Sequence, residues 1–215
     1  MRLRRIPEAR PLIAAHPLVY DLERVLAAGG GGQLFVEQQS LTLEIGMGRG
    51  RFITSLAAAR PEENFLGLEL REEVIMQALT RLKGQEPANL RFLWLNADHL
   101  AELFLQGKVQ RIYLNFPDPW PKNRHAKRRL TADSFLGIYR RILAADGDLI
   151  FKTDNEALFS WSLDNFIKNG WQAVEISHDS PPNKSGMMSE YERRYRRAGR
   201  PICYACFLLE RPIPL

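Results

Sequence analysis

From Leu41 onward, short apolar runs alternate with segments of helical periodicity. This alternation is typical of a parallel sheet covered by helices, so we predict an α/β fold with an open, doubly wound sheet of seven strands. Strands are predicted at 41–45, 65–69, 90–95, 109–115, 147–153, 171–177 and 202–209, and helices at about 51–60, 71–84, 98–106, 132–145 and 155–169.

Two segments lie outside this alternation. Residues 1–40 lack clear periodicity and contain Gly29–Gly32, a tract that we expect to be flexible and unable to pack. We therefore predict an N-terminal arm and flexible loop at 1–40 and one domain at 41–215. The interval 177–200 is long, polar and rich in Pro, Ser and Arg, and loops of that length are usually functional.

Composition adds bounds on the class of protein. A chain of 215 residues with 45% hydrophobic content suits one domain with a sizeable core. No run approaches the roughly 18 apolar residues of a membrane span, and Arg, Glu and Pro interrupt the start of the chain where a signal peptide would be apolar. We expect a soluble, cytoplasmic protein.

The net charge of +5 is clustered along the chain. Three basic groups near one loop favour a polyanionic partner, although a single group could be a solvated face. The groups are Arg2, Arg4, Arg5 and Arg10; residues 122–129; and Arg193, Arg194, Arg196, Arg197 and Arg200.

We expect neither a metal site nor a redox site. Cys203 and Cys206 have CxxC spacing, but they lie in a predicted strand that sends the two thiols to opposite faces. The chain has no second CxxC to complete four zinc ligands. The histidines show no metal-ligand spacing, and they are His16, His99, His125 and His178.

A glycine-rich turn follows the first of the seven predicted strands. The glycines alternate as G-x-G-x-G, with Gly46 and Gly48 inside the turn and Glu44 two residues before it. A carboxylate there would repel the pyrophosphate of a dinucleotide. S-adenosylmethionine has no phosphate, and its amino group can donate a hydrogen bond to Glu44. The turn therefore favours S-adenosylmethionine.

Polar side chains also end the next two predicted strands. Glu69 lies where an acid can bind both ribose hydroxyls, and the pair Asn96 and Asp98 suits the edge of an adenine. Each alone could be a helix N-cap or a solvated strand end. Because the carboxyl ends of parallel strands share one edge of the sheet, together they predict a cofactor site.

The loop 115–122, Asn-Phe-Pro-Asp-Pro-Trp-Pro-Lys, follows the fourth predicted strand and precedes a strongly basic run. Its three prolines fix the backbone, and its Asn, Asp and Trp offer hydrogen bonds and a stacking face suited to a nucleobase. Trp120 could stack on the base or plug the core. Lys122 could bind a phosphate or guanine O6, or remain solvated.

Several motifs, in this order, resemble the bacterial tRNA (guanine-N7)-methyltransferases between about Leu41 and Phe207. The resemblance implies a Rossmann-like class I methyltransferase fold with an antiparallel last strand. It also implies methyl transfer from S-adenosylmethionine to N7 of a guanine in the variable loop of tRNA. The motifs are Glu44–Gly50, Gly67–Glu69, Asn96–Asp98, the loop 115–122 with 124–129, Lys152–Asn155 and Ser189–Glu192.

The same resemblance implies roles for individual residues. Asn96 stands where many relatives have Asp, which leaves open whether Asn96 or Asp98 contacts the adenine, and Ser189 stands where Thr is common. Asp118 would be catalytic and would line the cofactor site with Glu44, Gly46, Gly48, Glu69, Asn96 and Asp98. Lys122, Asp154, Ser189, Glu190, Tyr191 and Glu192 would bind the substrate, and Arg124, His125, Lys127, Arg128 and Arg129 would contact RNA.

The chemistry of methylation at guanine N7 agrees with these residue types. Guanine N7 has a free lone pair and loses no proton on methylation, so the reaction needs positioning and charge stabilisation without a general base. We hypothesise that Asp118 and Asp154 accept hydrogen bonds from guanine N1–H and N2–H2. Ser189 and Glu192 are also spaced as the capping box of a helix.

Two other interpretations stay open. Asp118-Pro119-Trp120 is similar to the Asp/Asn-Pro-Pro-aromatic loop of methyltransferases that act on exocyclic amines, although one Pro is missing. A non-catalytic RNA-binding protein with the same fold is the second. A nicotinamide-dependent dehydrogenase is disfavoured because the chain shows no phosphate-binding turn. Monomer and homodimer are both compatible with the sequence.

Overall fold

The computed structural model describes residues 8–104, 107–180 and 187–209, which form one eight-stranded sheet. Its order is β1-β4-β3-β2-β5-β6-β8-β7, parallel except for β8, which runs antiparallel to both neighbours. All seven predicted strands are present, and the predicted antiparallel last strand is confirmed. The strands are β1 (Val19–Tyr20), β2 (Ser40–Ile45), β3 (Glu63–Glu69), β4 (Leu90–Trp94), β5 (Val109–Asn115), β6 (Leu143–Thr153), β7 (Trp171–Ser177) and β8 (Cys203–Leu209).

The helices alternate with these strands largely as predicted. They are α1 (Ala9–Ala15), α2 (Leu22–Ala27), α3 (Arg51–Ala59), α4 (Glu72–Leu82), α5 (Leu100–Leu103), α6 (Asp133–Ile142), α7 (Glu156–Lys168) and α8 (Glu190–Arg197). Positions 105 and 106 of the predicted helix 98–106 lie outside the described residues. Within the described ranges, no helix combines the length and apolar character that crossing a membrane requires.

Two buried apolar clusters cover opposite faces of the sheet. Phe65 of β3 belongs to one cluster and its neighbour Leu66 to the other, because side chains alternate along a strand. Residues of α1, α3 and α4 pack on the Phe65 side, and residues of α5, α6 and α7 on the Leu66 side. The predicted double winding is therefore confirmed.

The two cysteines follow the same alternation along β8. Cys203 packs in one cluster and Cys206 in the other, as predicted, and both are free thiols. Burial is the largest cause that raises the pKa of Cys203 to about 12 and of Cys206 to about 11. Both thiols are consequently protonated at neutral pH.

One boundary differs from the prediction. β6 begins at Leu143, four residues before the predicted start, and α6 ends at Ile142. Leu143 pairs with Val109 of β5, and the register shifts between Val109 and Arg111. Pairing with a distant strand therefore decides where this helix ends.

The N-terminal segment also differs from the expected arm. β1 extends the edge of the sheet by pairing with β4, and Gly31 is buried. A Cβ at Gly31 would stand 2.4 Å from Cε1 of Phe104, so the missing side chain makes room for that ring. The glycine tract is therefore packed at Gly31. The division of the chain at residue 40 stays a prediction. Arg2, Arg4 and Arg5 lie outside the described residues.

Candidate active site

A cavity of about 1420 Å³ lies at the carboxyl edge of the parallel strands. The structure brings most predicted cofactor residues into its lining: Glu44, Gly46, Gly48, Glu69, Asn96 and Asp118. Asp98 is not among the lining residues, and its Oδ2 accepts a hydrogen bond of 2.8 Å from Nδ2 of Asn96. Asn96 thus faces the cavity, and Asp98 orients its amide.

The glycine turn adopts backbone angles that favour glycine. Gly46 and Gly48 have φ values of +75° and +56°, in the left-handed region. The N–H of Gly48 donates to Oε2 of Glu69 at 3.2 Å, while Oε1 of Glu69 accepts from two backbone N–H groups. Burial raises the pKa of Glu69, and these hydrogen bonds oppose that rise. One carboxylate therefore fixes the turn and the end of β3 together.

Gly67 supports the same turn from the middle of β3. A Cβ at Gly67 would stand 2.4 Å from Sδ of Met47, which lies between the two glycines of the turn. Met47 is buried in the apolar cluster beneath. Gly67 therefore lets the turn sit directly on the sheet.

Glu44 is fully buried at the base of the cavity. Its Oε1 accepts a hydrogen bond of 2.9 Å from Nδ2 of Asn115. Glu44 Oε2 and Asn115 Oδ1 are buried, and neither has a hydrogen-bond partner among the described residues. Burial raises the pKa of Glu44 to about 8. A ligand that carries N–H donors would satisfy both oxygens and would favour the ionised form of Glu44. The sequence predicts that Asn115 offers hydrogen bonds to a nucleobase, whereas in the structure its amide donates to Glu44 at the base of the larger cavity.

The loop 115–122 is strained at two positions. Phe116 and Trp120 have φ values of +52° and +41°, which are rare for large side chains. The N–H of Phe116 donates to the carbonyl of Lys152 at 2.8 Å. The guanidinium of Arg129 donates to the carbonyls of Pro119 and Trp120 at 3.2 and 3.1 Å. The surrounding chain thus holds the loop in a conformation it would not adopt alone.

The position of Arg129 differs from the prediction. We predicted an RNA contact at Arg129, but its side chain is buried and lies over the ring of Trp161 at 4.3 Å. Its donors are directed into the loop, so it supports the active-site backbone instead of facing solvent. The neighbouring Lys122, Arg124, Lys127 and Arg128 are exposed, and His125 is half-buried.

A second, smaller cavity of about 220 Å³ adjoins the first. Asp154 and Tyr195 line this cavity only, whereas Phe116, Asp118 and Tyr191 line both cavities. Asp118 therefore stands at their junction.

Three aromatic rings form one wall of the smaller cavity. The Phe116 centroid lies 5.6 Å from Tyr195 and 6.3 Å from Tyr191, and the ring planes diverge by 36° and 28°. Trp120 instead meets His125 edge-on at 5.7 Å, with the Arg128 guanidinium 5.0 Å from its ring centre. The flat faces at the smaller cavity thus belong to residues that the sequence analysis did not single out for stacking.

Asp154 carries an ion pair at the edge of the smaller cavity. Nη2 of Arg200 lies 2.9 Å from its Oδ2, and the Arg200 guanidinium lies 4.7 Å from the Tyr195 ring centre. Burial raises the pKa of Tyr195, and the negative charge of Asp154 raises it further. Asp154 and Tyr195 are therefore neighbours that share one cationic partner.

Ser189 caps the start of α8 as predicted, but Glu192 on the same helix does not face the site where we predicted a substrate contact. Oγ of Ser189 accepts from the N–H of Glu192 at 3.0 Å. The Glu192 side chain is buried and accepts from Nζ of Lys152 at 3.1 Å and from Arg196 at 2.9 Å. A buried lysine requires a paired carboxylate, so Glu192 lies behind the site and not in it. Glu190 pairs with Arg49 at 3.3 Å.

One cluster of ligand-type side chains lies beside the smaller cavity. The carboxylate of Glu156 lies 2.8 Å from Nδ1 of His178 and 3.0 Å from Sγ of Cys203. Their potential metal ligand atoms all lie within 4.8 Å of one another. Sequence spacing gave no sign of this proximity, because three different elements contribute to it. In the structure the three side chains satisfy one another by hydrogen bonding.

Comparisons with known proteins agree with this geometry. A family model described as "Putative methyltransferase" matches residues 38–205. The chain is 43% identical to the tRNA (guanine-N(7)-)-methyltransferase of Brevibacillus brevis over 205 residues, covering 94% of this chain and 95% of that protein. It is also 43% identical to the enzyme of the same name from Geobacillus kaustophilus over 216 residues, covering 99% and 98%.

Solved structures agree on the fold. The crystal structure of the antibiotic-resistance methyltransferase Kmr matches with a TM-score of 0.59, covering 89% of this chain and 93% of that chain. The two sequences are 16% identical, so this likeness shows the fold alone. The Rossmann-like class I methyltransferase fold that we predicted is confirmed.

Proposed function

Because the chain belongs to the tRNA (guanine-N(7)-)-methyltransferase family, we propose that it transfers a methyl group from S-adenosylmethionine to N7 of a guanine in the variable loop of tRNA. The observation that carries this proposal is the pair of adjoining cavities with Asp118 at their junction. A methyl donor in one and a base in the other would meet there.

The larger cavity fits S-adenosylmethionine. Glu44 Oε2 and Asn115 Oδ1 are buried acceptors without partners among the described residues, and they suit the ammonium of the amino-acid moiety. Glu69 lies at the end of β3, where an acid can bind ribose hydroxyls. Asn96 would contact the adenine. When bound, this cofactor supplies an electrophilic methyl group on a sulfonium.

The smaller cavity fits the guanine. Asp118 and Asp154 would accept hydrogen bonds from N1–H and N2–H2, which leaves N7 free on the opposite edge of the base. The N7 lone pair forms the new bond to the methyl carbon while the carbon–sulfur bond breaks and its electron pair stays on sulfur. The base becomes cationic, and the nearby carboxylate of Asp118 stabilises that charge. No side chain needs to remove a proton.

The exposed basic side chains would hold the tRNA backbone. Lys122, Arg124, Lys127 and Arg128 lie beside the loop, where they can neutralise phosphates. Arg194 and Arg197 of α8 line the larger cavity and extend this positive surface. Activity on tRNA would place the protein in the cytoplasm.

The test is transfer of labelled methyl from S-adenosylmethionine to unmodified tRNA transcripts, followed by nucleoside analysis. We expect label in N7-methylguanosine for the wild-type protein. Asp118→Asn should reduce turnover by at least about tenfold because one negative acceptor is lost. Asp164→Asn, an exposed acid on α7, is the matched control and should retain wild-type turnover.

Other products would overturn the proposal. Label on an exocyclic amine would favour the alternative class of methyltransferase, and an absence of cofactor binding would favour a non-catalytic RNA-binding protein. Full turnover by Asp118→Asn would refute the role of Asp118 while leaving the reaction established.

A further inference from the structure

A nucleobase inside folded RNA does not offer N7 freely, since the deep groove of an A-form helix excludes side chains. Enzymes that act on bases take the base out of its stack and hold it in a pocket, usually against aromatic rings. The smaller cavity has such rings in Phe116, Tyr191 and Tyr195, and Tyr191 is 51% exposed. The smaller cavity therefore carries the aromatic side chains that a pocket for an extruded base requires.

Resting on the proposed function, we propose that Phe116 and Tyr195, together with Tyr191, form the surface on which the unstacked guanine lies. The side chains come from two distant parts of the chain, the loop after β5 and the helix α8. Tyr191 and Tyr195 are one helical turn apart and share a face of α8. The Phe116 ring stacks on Tyr191 and is tilted against Tyr195, with interplanar angles of 28° and 36°.

Lys152 positions the two halves of this aromatic wall. Its carbonyl accepts the N–H of Phe116 at 2.8 Å, and its Nζ lies 3.1 Å from the buried carboxylate of Glu192. Glu192 lies between Tyr191 and Tyr195 on α8. A single residue of β6 therefore sets the loop and the helix in register with each other.

Strain in the loop agrees with this role. A φ of +52° at a phenylalanine is unfavourable, and such backbone conformations cluster at functional sites. At this residue the strained backbone delivers the Phe116 ring to both cavities. Trp120, the other strained residue of the loop, is engaged with His125 and Arg128 and lines only the larger cavity.

The test compares aromatic and aliphatic replacements in the full-length protein. Tyr195→Leu and Phe116→Leu should lower kcat/KM for tRNA by about ten- to hundredfold, the range for a lost base–aromatic stack. Tyr195→Phe and Phe116→Tyr should stay within a few-fold of wild type. Tyr20→Leu, on the edge strand β1, is the control and should keep wild-type kcat/KM.

A second readout reports stacking directly. In complex with a tRNA that carries 2-aminopurine in place of the target guanine, the wild-type protein should give low fluorescence, because a base that has left the RNA stack is quenched again where it stacks on Tyr195. Tyr195→Leu should bind the same tRNA with higher fluorescence. Affinity for S-adenosylmethionine should be unchanged in the two Tyr195 variants, because Tyr195 lines only the smaller cavity, and this separates base stacking from general damage.

Three outcomes would overturn the inference: Leu and aromatic replacements equally active, Leu and aromatic replacements equally impaired, or cofactor affinity lost along with tRNA activity in Tyr195→Leu. Failure of the proposed function is distinguishable from these. If wild type methylates tRNA at another atom, the proposed function fails, yet the contrast between Leu and Phe still decides whether the base stacks on Tyr195.

Discussion

Replacing Glu44 with Gln should stabilise the cofactor-free protein at neutral and alkaline pH. The carboxyl is fully buried, and burial raises its pKa from an ordinary 4.5 to about 8. Between those two values the unfolded state has released a proton that the native state keeps. The free energy of unfolding of the wild-type protein therefore falls as pH rises from about 4.5 to about 8.

The magnitude follows from that shift. Each unit of pKa corresponds to about 1.4 kcal/mol, so the destabilisation reaches about 5 kcal/mol at pH 8. Gln keeps an oxygen to accept the hydrogen bond from Asn115 and does not titrate. We expect Glu44→Gln and wild type to have similar stability near pH 4.5 and to diverge steadily up to pH 8.

Urea denaturation at several pH values between 5 and 8, without S-adenosylmethionine, measures this divergence. Glu62→Gln, an exposed residue before β3, is the matched control and should follow the wild-type pH profile. Parallel profiles for Glu44→Gln and wild type, separated by a constant offset, would refute the reasoning. The carboxyl would then titrate alike in the native and unfolded states.

Further predictions concern the cofactor, the buried ion pair and the basic loop. S-adenosylmethionine should release up to one proton from Glu44 on binding at pH 7, measured by calorimetry in two buffers of different ionisation enthalpy; zero release would contradict an ammonium beside Glu44. Lys152→Met should lower the free energy of unfolding by about 3–5 kcal/mol, since it removes a partner of the buried Glu192, and a loss below about 1 kcal/mol in urea denaturation would contradict this. Lys127→Ala should reduce the slope of log affinity for tRNA against log salt by about 1. Arg129→Ala should leave that slope unchanged while lowering kcat. A reduced slope with unchanged kcat would show that Arg129 binds phosphate.

Local patterns along the chain were sufficient for most elements of the fold. The alternation of apolar segments located seven strands and the helices between them, because the spacing of apolar residues indicates which face of a strand or helix is buried. The glycine turn and the N-cap at Ser189 were predictable for the same reason, since backbone angles and capping depend on a few neighbouring residues. Glu44 and Glu69 could be placed at one edge because parallel strands end together.

The tertiary structure decided which side chains meet. Glu192 belongs to the predicted substrate-binding block, but its carboxylate is directed to Lys152, 40 residues away. Arg129 belongs to a basic run, yet the loop it follows captures its guanidinium. The aromatic wall combines Phe116 with Tyr195, which no sequence spacing connects. The order of the strands in the sheet decides which distant segments lie close together. The contact partner of a charged or aromatic side chain therefore depends on the whole sheet and not on neighbouring residues in the sequence.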